Sequence, residues 1–338
     1  MRLAIATDAW EPQINGVVRS LTETARRLPA LGIDPHFVTA AGLATVPLPT
    51  YPDIRLAIGA GRAIADRLAA LAPAAVHIAT EGPVGLAARR WCLTRGLPFT
   101  TSFHTRYPDY VRARIPVPQA WTYRILRRFH APARRTLVPT ASVRAELAAQ
   151  GFGHLVLWSR GVDTTLFRPR PEAVLDLPRP IMLSVGRLAV EKNLEAFLSL
   201  NLPGTKLIVG DGPQRAELEQ RFPGAVFLGA RTGEALARLY AAADVFVFTS
   251  RTDTYGNVMQ EALASGVPVA AFPVPGPLDV LDEPGAGVMH ADLALAIRGA
   301  LGLDRAQCRR IASKRTWEAA ARQFAGALAP FAERMAVA

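Results

Sequence analysis

Two series of short apolar segments, each alternating with longer helical segments, constrain the fold of this chain most strongly. The first series of candidate strands comprises Arg2–Thr7, His36–Thr39, Val76–Ala79, Phe99–Phe103, Thr136–Val138 and Leu155–Trp158. The second comprises Ile181–Val185, Lys206–Val209, Ala225–Leu228, Val245–Phe248 and Val267–Ala271. Strands that are apolar throughout and separated by helices indicate parallel sheets covered on both faces. The pattern therefore predicts an α/β chain with two Rossmann-like domains.

The alternation is interrupted once, in Val162–Pro180, which contains four prolines and no helical period. We therefore predict domains at residues 1–165 and 166–317, each close to the size of one Rossmann-like domain. A C-terminal helix at about residues 318–338 is expected to pack back on the first domain.

The bulk composition excludes several classes of protein. The longest uncharged stretch, Ala262–Leu278, is broken by four prolines and two glycines, so it does not predict a membrane span. The N-terminus lacks a signal-peptide pattern, which favours a cytoplasmic location. Only Cys92 and Cys308 are present, which argues against a disulfide framework and against a structural zinc site.

The formal net charge of +11 is concentrated in one segment. Between Arg106 and Arg135 there are eight arginines and one acid, Asp109. Such a patch is typical of binding to an anionic partner, which is a membrane surface, a nucleic acid or a phosphorylated substrate. No nucleic-acid recognition motif accompanies it, so we expect no nucleic-acid partner.

The turn after the first strand, at residues 8–18, ends in Asn15-Gly16 and leads into a helix. The carboxyl-end crevice of an open α/β sheet is where ligands bind, and free amides at a helix start attract phosphate. Gly16 would allow close approach of a ligand, although a glycine required only by turn geometry is equally consistent with the sequence. Neither a GxGxxG fingerprint nor a P-loop is present, which disfavours a dinucleotide dehydrogenase.

Two further strand ends carry charged side chains. Arg187 and Lys192 follow Ile181–Val185 and could both reach one diphosphate, unless they are merely solvated surface cations. Asp253 follows Val245–Phe248 on a loop, and Glu261 lies in the next helix among apolar residues. Both acids are suited to accepting hydrogen bonds from sugar and ribose hydroxyls. The alternative is that Asp253 caps the helix and Glu261 is an exposed acid.

His104 follows the candidate strand Phe99–Phe103 and is expected to point toward the crevice between the domains. A lone histidine is more often structural, but its position at a strand end favours a functional role.

In combination, these segments resemble glycosyltransferase family 4. The resemblance spans nearly the whole chain and rests on EPQINGVVRSL, FHTRYPDY, GVDTTLF, GRLAVEKN, VGDGP and TDTYGNVMQEALASGVPV in that order. The first and last are most similar to GDP-mannose-dependent α-mannosyltransferases, sulfolipid synthase and bacterial diacylglycerol glycosyltransferases. One departure is Asp253, where most of the family has glutamate. The shorter acid leaves open which sugar hydroxyl it binds.

The resemblance implies the GT-B fold, with two Rossmann-like domains facing across a cleft, and a site assigned by position. Arg187 and Lys192 would bind the donor diphosphate, and Gly16 would meet it from the other domain. Glu261 would bind ribose, Asp253 the sugar, and His104 the O6 side of the sugar or the reacting centre. The remaining donor-site positions are Gly186, Gly210, Arg231, Thr254, Tyr255, Gly256, Asn257 and Val258, with the base near Gly210 and residues 228–231.

The implied reaction is retaining transfer of mannose, glucose or a related hexosyl group from a nucleoside-diphosphate sugar to an acceptor hydroxyl. No metal or cofactor is expected, because no DxD motif or His/Cys cluster is present and two cations are available. The acceptor is expected to be a membrane glycerolipid or glycolipid at an anionic surface contacted by Arg106, Tyr107, Tyr110, Arg112, Arg114, Arg124, Arg127 and Arg128. A soluble sugar or polysaccharide acceptor remains an alternative, as does a nucleotide-sugar epimerase of the same fold.

Overall fold

A computed structural model describes residues 1–11, 13, 15–48, 51–104 and 117–331 of the chain, which divide into two compact units. Unit 1 consists of Met1–Ser159 and the chain from Trp317 onward, and unit 2 consists of Arg160–Thr316. The division lies six residues before the predicted boundary at 165/166. The reason is that Val162 and Phe167, which were expected on either side of that boundary, both pack in the core of unit 2.

Unit 1 is built on a six-stranded sheet in which every pair of neighbours is parallel, in the order β2-β1-β5-β6-β7-β8. These strands are β1 Arg2–Ala6, β2 Asp34–Val38, β5 Ala75–Ile78, β6 Thr100–Ser102, β7 Arg135–Val138 and β8 Leu155–Leu157. Apolar residues alternate between the two faces of β1: Ala4 and Ala6 pack on one side, Leu3 and Ile5 on the other. Helices therefore cover both faces, as apolar parallel strands require.

The helices of unit 1 are Gly16–Ala25, Ala60–Leu71, Pro83–Thr94, Gln119–His130, Ala141–Ala149 and Trp317–Ala327, with a 3-10 turn at Leu28–Leu31. The Trp317–Ala327 helix belongs to unit 1 although it follows unit 2 in sequence. Its Phe324 is fully buried, with its ring 4.9 Å from that of Trp158 and 4.8 Å from that of His77. Arg135 donates to the carbonyls at the end of this helix, at 3.1–3.2 Å. Cations favour this end of a helix.

Unit 2 contains a second all-parallel sheet of six strands, in the order β11-β10-β9-β12-β13-β14. The strands are β9 Ile181–Val185, β10 Thr205–Val209, β11 Val226–Phe227, β12 Val245–Phe248, β13 Val269–Ala271 and β14 Gly287–Met289. The helices are Glu195–Leu198, Arg215–Arg221, Gly233–Ala242, Asn257–Ala264, Pro277–Val280, Leu293–Ala300 and Arg305–Ser313, with a 3-10 turn at Val190–Lys192. This strand order, 3-2-1-4-5-6 within the unit, is that of the Rossmann fold.

Three strands are absent from the predicted series. β14 is a three-residue edge strand that begins with Gly287, so its apolar signal is too short to read from the sequence. β3 Thr45–Leu48 and β4 Tyr51–Ala57 form a separate antiparallel pair. Pro47 and Pro52 lie within these strands, and proline inside an apolar run argues against a strand. Among the described residues, no helix is long and apolar enough to cross a membrane.

Candidate active site

The central strands of unit 2, β9 and β12, lie side by side at the point where the strand order reverses. The chain continues from β9 to β10 on one side of the sheet, whereas β12 to β14 extend on the other. In open α/β sheets, ligands bind outside the carboxyl ends of the strands at such a point, because the two loops diverge there and leave a crevice. The loops that carry Lys192 and Asp253 both begin at this crevice.

Hydrogen bonds from side chains to backbone carbonyls connect the two loops. Thr249 Oγ1 donates to the carbonyl of Lys192 at 2.5 Å, and Ser250 Oγ donates to the carbonyl of Glu191 at 3.3 Å. Asn193 Nδ2 donates to the carbonyl of Thr249 at 3.4 Å. These bonds involve backbone carbonyls, so they fix the loop positions independently of the charged side chains.

Lys192 and Asp253 form an ion pair across these loops. Lys192 Nζ lies 2.7 Å from each carboxylate oxygen of Asp253, and the side chains are 26% and 14% exposed. Arg187 is half-buried in the loop that carries Lys192. The structure thus brings together Lys192, which was predicted to bind diphosphate, and Asp253, which was predicted to bind the sugar.

Glycines line the carboxyl ends of β9 and β10. Gly186 has φ +153° and Gly210 has φ +145°, values that side chains disfavour. A Cβ on Gly210 would lie 1.8 Å from the carbonyl oxygen of Gly186, so only glycine fits there. Gly210 N donates to Gly229 O at 3.0 Å, which places the predicted base-binding segments 210 and 228–231 side by side. Arg231 is exposed at the end of that segment.

The Asn257–Ala264 helix begins after Gly256, whose φ is +82°. Glu261 is only 2% exposed, so the alternative of an exposed surface acid is wrong. Tyr255 is also buried, and its hydroxyl donates to the carbonyl of Arg160 at 3.3 Å. Burial raises the pKa of Tyr255 to about 12, so the phenol stays neutral and anchors the start of the helix. Thr254 and Val258 are half-buried beside it.

Two buried polar atoms in the segment that contains Asp253 have no hydrogen-bond partner in the described part of the chain. They are Thr252 Oγ1 and Asn257 Oδ1. Buried polar atoms normally have a partner, so such atoms at a strand-end crevice are candidates to bind a ligand hydroxyl. Asn257 was predicted for this site, whereas Thr252 was not. The signal that could have identified Thr252 is a hydroxyl adjacent to Asp253 in the same loop.

In unit 1, the helix start at Gly16 differs from the expectation of free amides. Asn15 Oδ1 accepts from the amides of Val17 and Val18, each at 3.0 Å. Asparagine is a strong N-cap, and here it satisfies the amides that were predicted to attract phosphate. The expectation that free amides at this helix start attract phosphate is therefore wrong for Val17 and Val18. Gly16 itself is exposed, and its carbonyl accepts from Ser20 Oγ at 2.7 Å.

A second capped helix lies at the reversal point of the unit 1 sheet, between β1 and β5. Asp8 follows β1 and is 9% exposed. Its carboxylate accepts from Thr80 Oγ1 at 2.8 Å and from Val84 N at 2.9 Å, at the start of the Pro83–Thr94 helix. A Cβ on Gly82 would lie 2.5 Å from the Asp8 carboxyl carbon, so the glycine permits this contact. The role of Asp8 is thus explained by helix capping.

His104 is half-buried at the carboxyl end of β6 and belongs to a buried polar chain. Its Nε2 lies 2.9 Å from Ser102 Oγ, which in turn lies 3.0 Å from Nε2 of His77. The other ring nitrogen of His77 lies 2.9 Å from Thr100 Oγ1. Sequence reasoning identified His104 but missed Ser102 and His77, because contacts between strands are not visible in the sequence.

Comparison with known proteins identifies the family. A sequence profile described as Glycosyltransferase Family 4 matches residues 14–166, and one described as Glycosyl transferases group 1 matches residues 179–301. A GDP-mannose-dependent alpha-mannosyltransferase from Mycobacterium tuberculosis is 32% identical over 316 residues, covering 86% of this chain and 83% of that protein. The chain belongs to glycosyltransferase family 4.

Two further similarities extend this result. This family 4 glycosyltransferase is 24% identical to an alpha-monoglucosyldiacylglycerol synthase of Streptococcus pneumoniae, covering 89% of this chain and 78% of that protein. It also matches the crystal structure of Anabaena HepE in complex with UDP and glucose, with a TM-score of 0.71 and 15% identity, over 96% of this chain and 98% of that one. The predicted GT-B fold, with two Rossmann-like domains, and the predicted enzyme class are confirmed.

The Gln119–His130 helix carries three of the described arginines of the segment between Arg106 and Arg135 in this glycosyltransferase. Tyr123, Leu126 and Phe129 are buried on one face. The opposite face exposes Trp121 and Ile125, each at 69%, and the three arginines Arg124, Arg127 and Arg128. The other predicted acceptor or membrane residues lie outside the described residues: Arg106, Tyr107, Tyr110, Arg112 and Arg114.

Proposed function

We propose that this enzyme transfers a hexosyl group, mannose, glucose or a related sugar, from a nucleoside-diphosphate sugar to a hydroxyl of a membrane glycerolipid or glycolipid, with retention of the α configuration. Binding of the nucleotide-sugar donor is supported by one observation above all, the pairing of Lys192 with Asp253 at the reversal point of the unit 2 sheet. By their names, one of the two sequence relatives described above is a GDP-mannose-dependent mannosyltransferase and the other is a synthase of monoglucosyldiacylglycerol, and both support the choice of substrates.

The proposed donor contacts follow from the chemistry of each side chain. Arg187 and Lys192 bind the diphosphate, since a guanidinium and an ammonium together match its charge. Glu261 accepts from the ribose hydroxyls, and the base lies against Gly210 and residues 228–231. The sugar contacts Asp253 and the segment of Thr254, Tyr255, Gly256, Asn257 and Val258. Gly186 and Arg231 border this donor site.

Stabilisation of the departing diphosphate is the main catalytic requirement of such a transfer. Negative charge develops on the leaving oxygen, and preorganised cations are the strongest means of stabilising it. Arg187 and Lys192 supply two positive charges, so we propose that the reaction needs no metal ion and no other cofactor. The acceptor attacks on the face that the diphosphate leaves, and the departing phosphate oxygen takes up the acceptor proton. His104 contacts the sugar on its O6 side or at the reacting centre.

Attachment to a membrane surface is supported by the composition of the exposed face of the Gln119–His130 helix. A helix that presents tryptophan and an aliphatic side chain beside several arginines is typical of one that lies in the membrane interface. Trp121 and Ile125 are four residues apart and therefore lie on one face. In the proposal, these two side chains enter the headgroup region and Arg124, Arg127 and Arg128 contact anionic lipid.

The proposal is tested by a screen of nucleotide sugars against two kinds of acceptor. GDP-mannose, UDP-glucose and other nucleotide sugars are each incubated with vesicles of membrane lipid extract, with soluble oligosaccharides, and without acceptor. We expect nucleoside diphosphate to be released with the lipid vesicles, together with a glycolipid product detected by mass spectrometry. Release only with oligosaccharides would replace the lipid acceptor with a soluble one. Conversion of the nucleotide sugar to an epimer without acceptor would overturn the transferase proposal.

A further inference from the structure

The Lys192–Asp253 pair joins two side chains of opposite charge, which would interact with the donor diphosphate in opposite ways. The ammonium of Lys192 is attracted to a diphosphate, whereas the carboxylate of Asp253 repels it. Both oxygens of Asp253 lie 2.7 Å from Lys192 Nζ, so two of the three donors of the ammonium are directed at one carboxylate. With both side chains mostly buried, this pair is shielded from bulk water more than a surface ion pair is.

From this arrangement we infer that Asp253 is an internal counter-ion of Lys192 that weakens the binding of the free nucleoside diphosphate product relative to the sugar donor. The inference rests on the proposed function, in which Lys192 binds the diphosphate. When the donor is bound, the Asp253 oxygens hydrogen-bond to sugar hydroxyls, and this contact offsets the repulsion. When only the nucleoside diphosphate is bound, no sugar hydroxyl is present and the carboxylate competes for the ammonium.

The surroundings of the pair indicate that it does not serve to hold the loops together. The three hydrogen bonds from Thr249, Ser250 and Asn193 already connect the two loops through backbone carbonyls. The other two lysines of the chain have different settings. Lys206 Nζ donates to the carbonyl of Leu198 at 2.5 Å, and Lys314 forms an exposed ion pair with Glu283. Of the three lysines of the chain, Lys192 is therefore the one that pairs with a carboxylate at the strand ends where we propose that the donor binds.

The consequence for turnover is faster product release. Product release limits the rate of many enzymes, and a nucleoside diphosphate held by two cations would leave slowly without a competing anion. As the product leaves, Asp253 pairs again with Lys192. Asp253 thus discriminates between donor and product, because the product has lost the sugar and carries an additional ionised oxygen on its terminal phosphate.

The test compares Asp253→Asn with wild type by isothermal titration with GDP and with UDP. Asparagine keeps the size of the side chain and removes the charge. We expect the nucleotide that binds wild type to bind the variant about fivefold more tightly, since one nearby repelling charge is removed. Product inhibition of turnover should strengthen by a similar factor, and the affinity for the parent nucleoside should not change.

Glu283→Gln is the matched control, because it removes one negative charge from the same unit and disrupts the ion pair of another lysine. Its nucleotide affinity should equal that of wild type. If Asp253→Asn bound the nucleoside diphosphate equally or more weakly, Asp253 would merely hold Lys192 in place and the inference would be overturned. If neither GDP nor UDP bound wild type, the proposed donor site itself would fail. Thermal unfolding verifies that the variant is folded, and Asp253→Ser provides a second neutral side chain with the same expected result.

Discussion

Ser102 and His104 are joined by a hydrogen bond of 2.9 Å between Oγ and Nε2, and the same Oγ lies 3.0 Å from Nε2 of the buried His77. A serine hydroxyl has one proton, so it donates to only one of the two imidazoles at a time. The protonation of His104 at Nε2 is therefore linked to that of His77. Through this bond, Ser102 is a positioning residue for His104.

Replacing Ser102 with alanine is expected to lower kcat by about fivefold, because loss of one hydrogen bond of about 1 kcal/mol leaves the His104 ring less well oriented. The KM for the nucleotide sugar should change little. Steady-state kinetics measures both values, and nitrogen-15 NMR of the histidines reports the change of tautomer. Thr101→Val is the control, since it removes a neighbouring buried hydroxyl that contacts His130 and Thr136 instead. Unchanged turnover and an unchanged histidine spectrum in Ser102→Ala would exclude the positioning role.

Glu261→Gln is expected to weaken the binding of both the nucleoside and the nucleoside diphosphate by about tenfold. The side chain is buried, and hydrogen bonds to a charged group are stronger than those to an amide by roughly that amount. Calorimetric titration with each compound measures the effect. Glu217→Gln, on an exposed part of the Arg215–Arg221 helix, should bind as wild type does. Nucleoside binding that is unaffected in Glu261→Gln would remove Glu261 from the ribose site.

Activity is expected to survive treatment with EDTA, because in the proposed mechanism Arg187 and Lys192 provide the positive charge that a metal ion supplies in metal-dependent transferases. The measurement compares the initial rate of sugar transfer after chelation with that after addition of excess Mg²⁺. The two rates should agree closely. A complete loss of activity that Mg²⁺ restores would show that a divalent cation is required, and the metal-free mechanism would be withdrawn.

The enzyme is expected to sediment with anionic vesicles at low salt and to be released as the salt concentration rises, because screening shortens the Debye length to ~8–10 Å near physiological ionic strength. Reversing the charge of Arg124, Arg127 and Arg128 to glutamate should abolish sedimentation. Trp121→Ala/Ile125→Ala should weaken it even at low salt, because the apolar contribution is lost. Leu278→Ala/Leu295→Ala removes two exposed apolar side chains from unit 2 and should have no effect. If the wild-type protein did not sediment with anionic vesicles, a soluble acceptor would become the favoured proposal.

Much of the fold could be predicted from the sequence, because fully apolar strands have a strong local signal. The strands that were missed, β14 and the β3–β4 pair, are an edge strand beginning with Gly287 and a pair that contains prolines. The boundary between the units, at Ser159/Arg160, lies before the predicted one because the local composition marks the proline-containing segment, whereas Val162 packs in the core of unit 2.

The candidate site could be predicted as a set of residues but not as a set of contacts. Each charged residue was identified from its position after a strand, which local sequence reveals. The pairing of Lys192 with Asp253 depends on β9 and β12 being neighbours in the sheet although they are far apart in sequence. The sequence contains a signal for the capping of Val17 and Val18, because asparagine is a preferred N-cap. The prediction that these amides bind phosphate overlooked this signal.

The configuration of the transferred sugar tests the central claim most directly. Wild type is incubated with an α-linked nucleotide sugar that it consumes and with a lipid acceptor, and the one-bond coupling between C1 and H1 of the product is measured by NMR. The account predicts an α-linked glycolipid and one nucleoside diphosphate released for each sugar transferred. A β-linked product would contradict retention, and consumption of the donor without any glycolipid product would contradict the transfer itself.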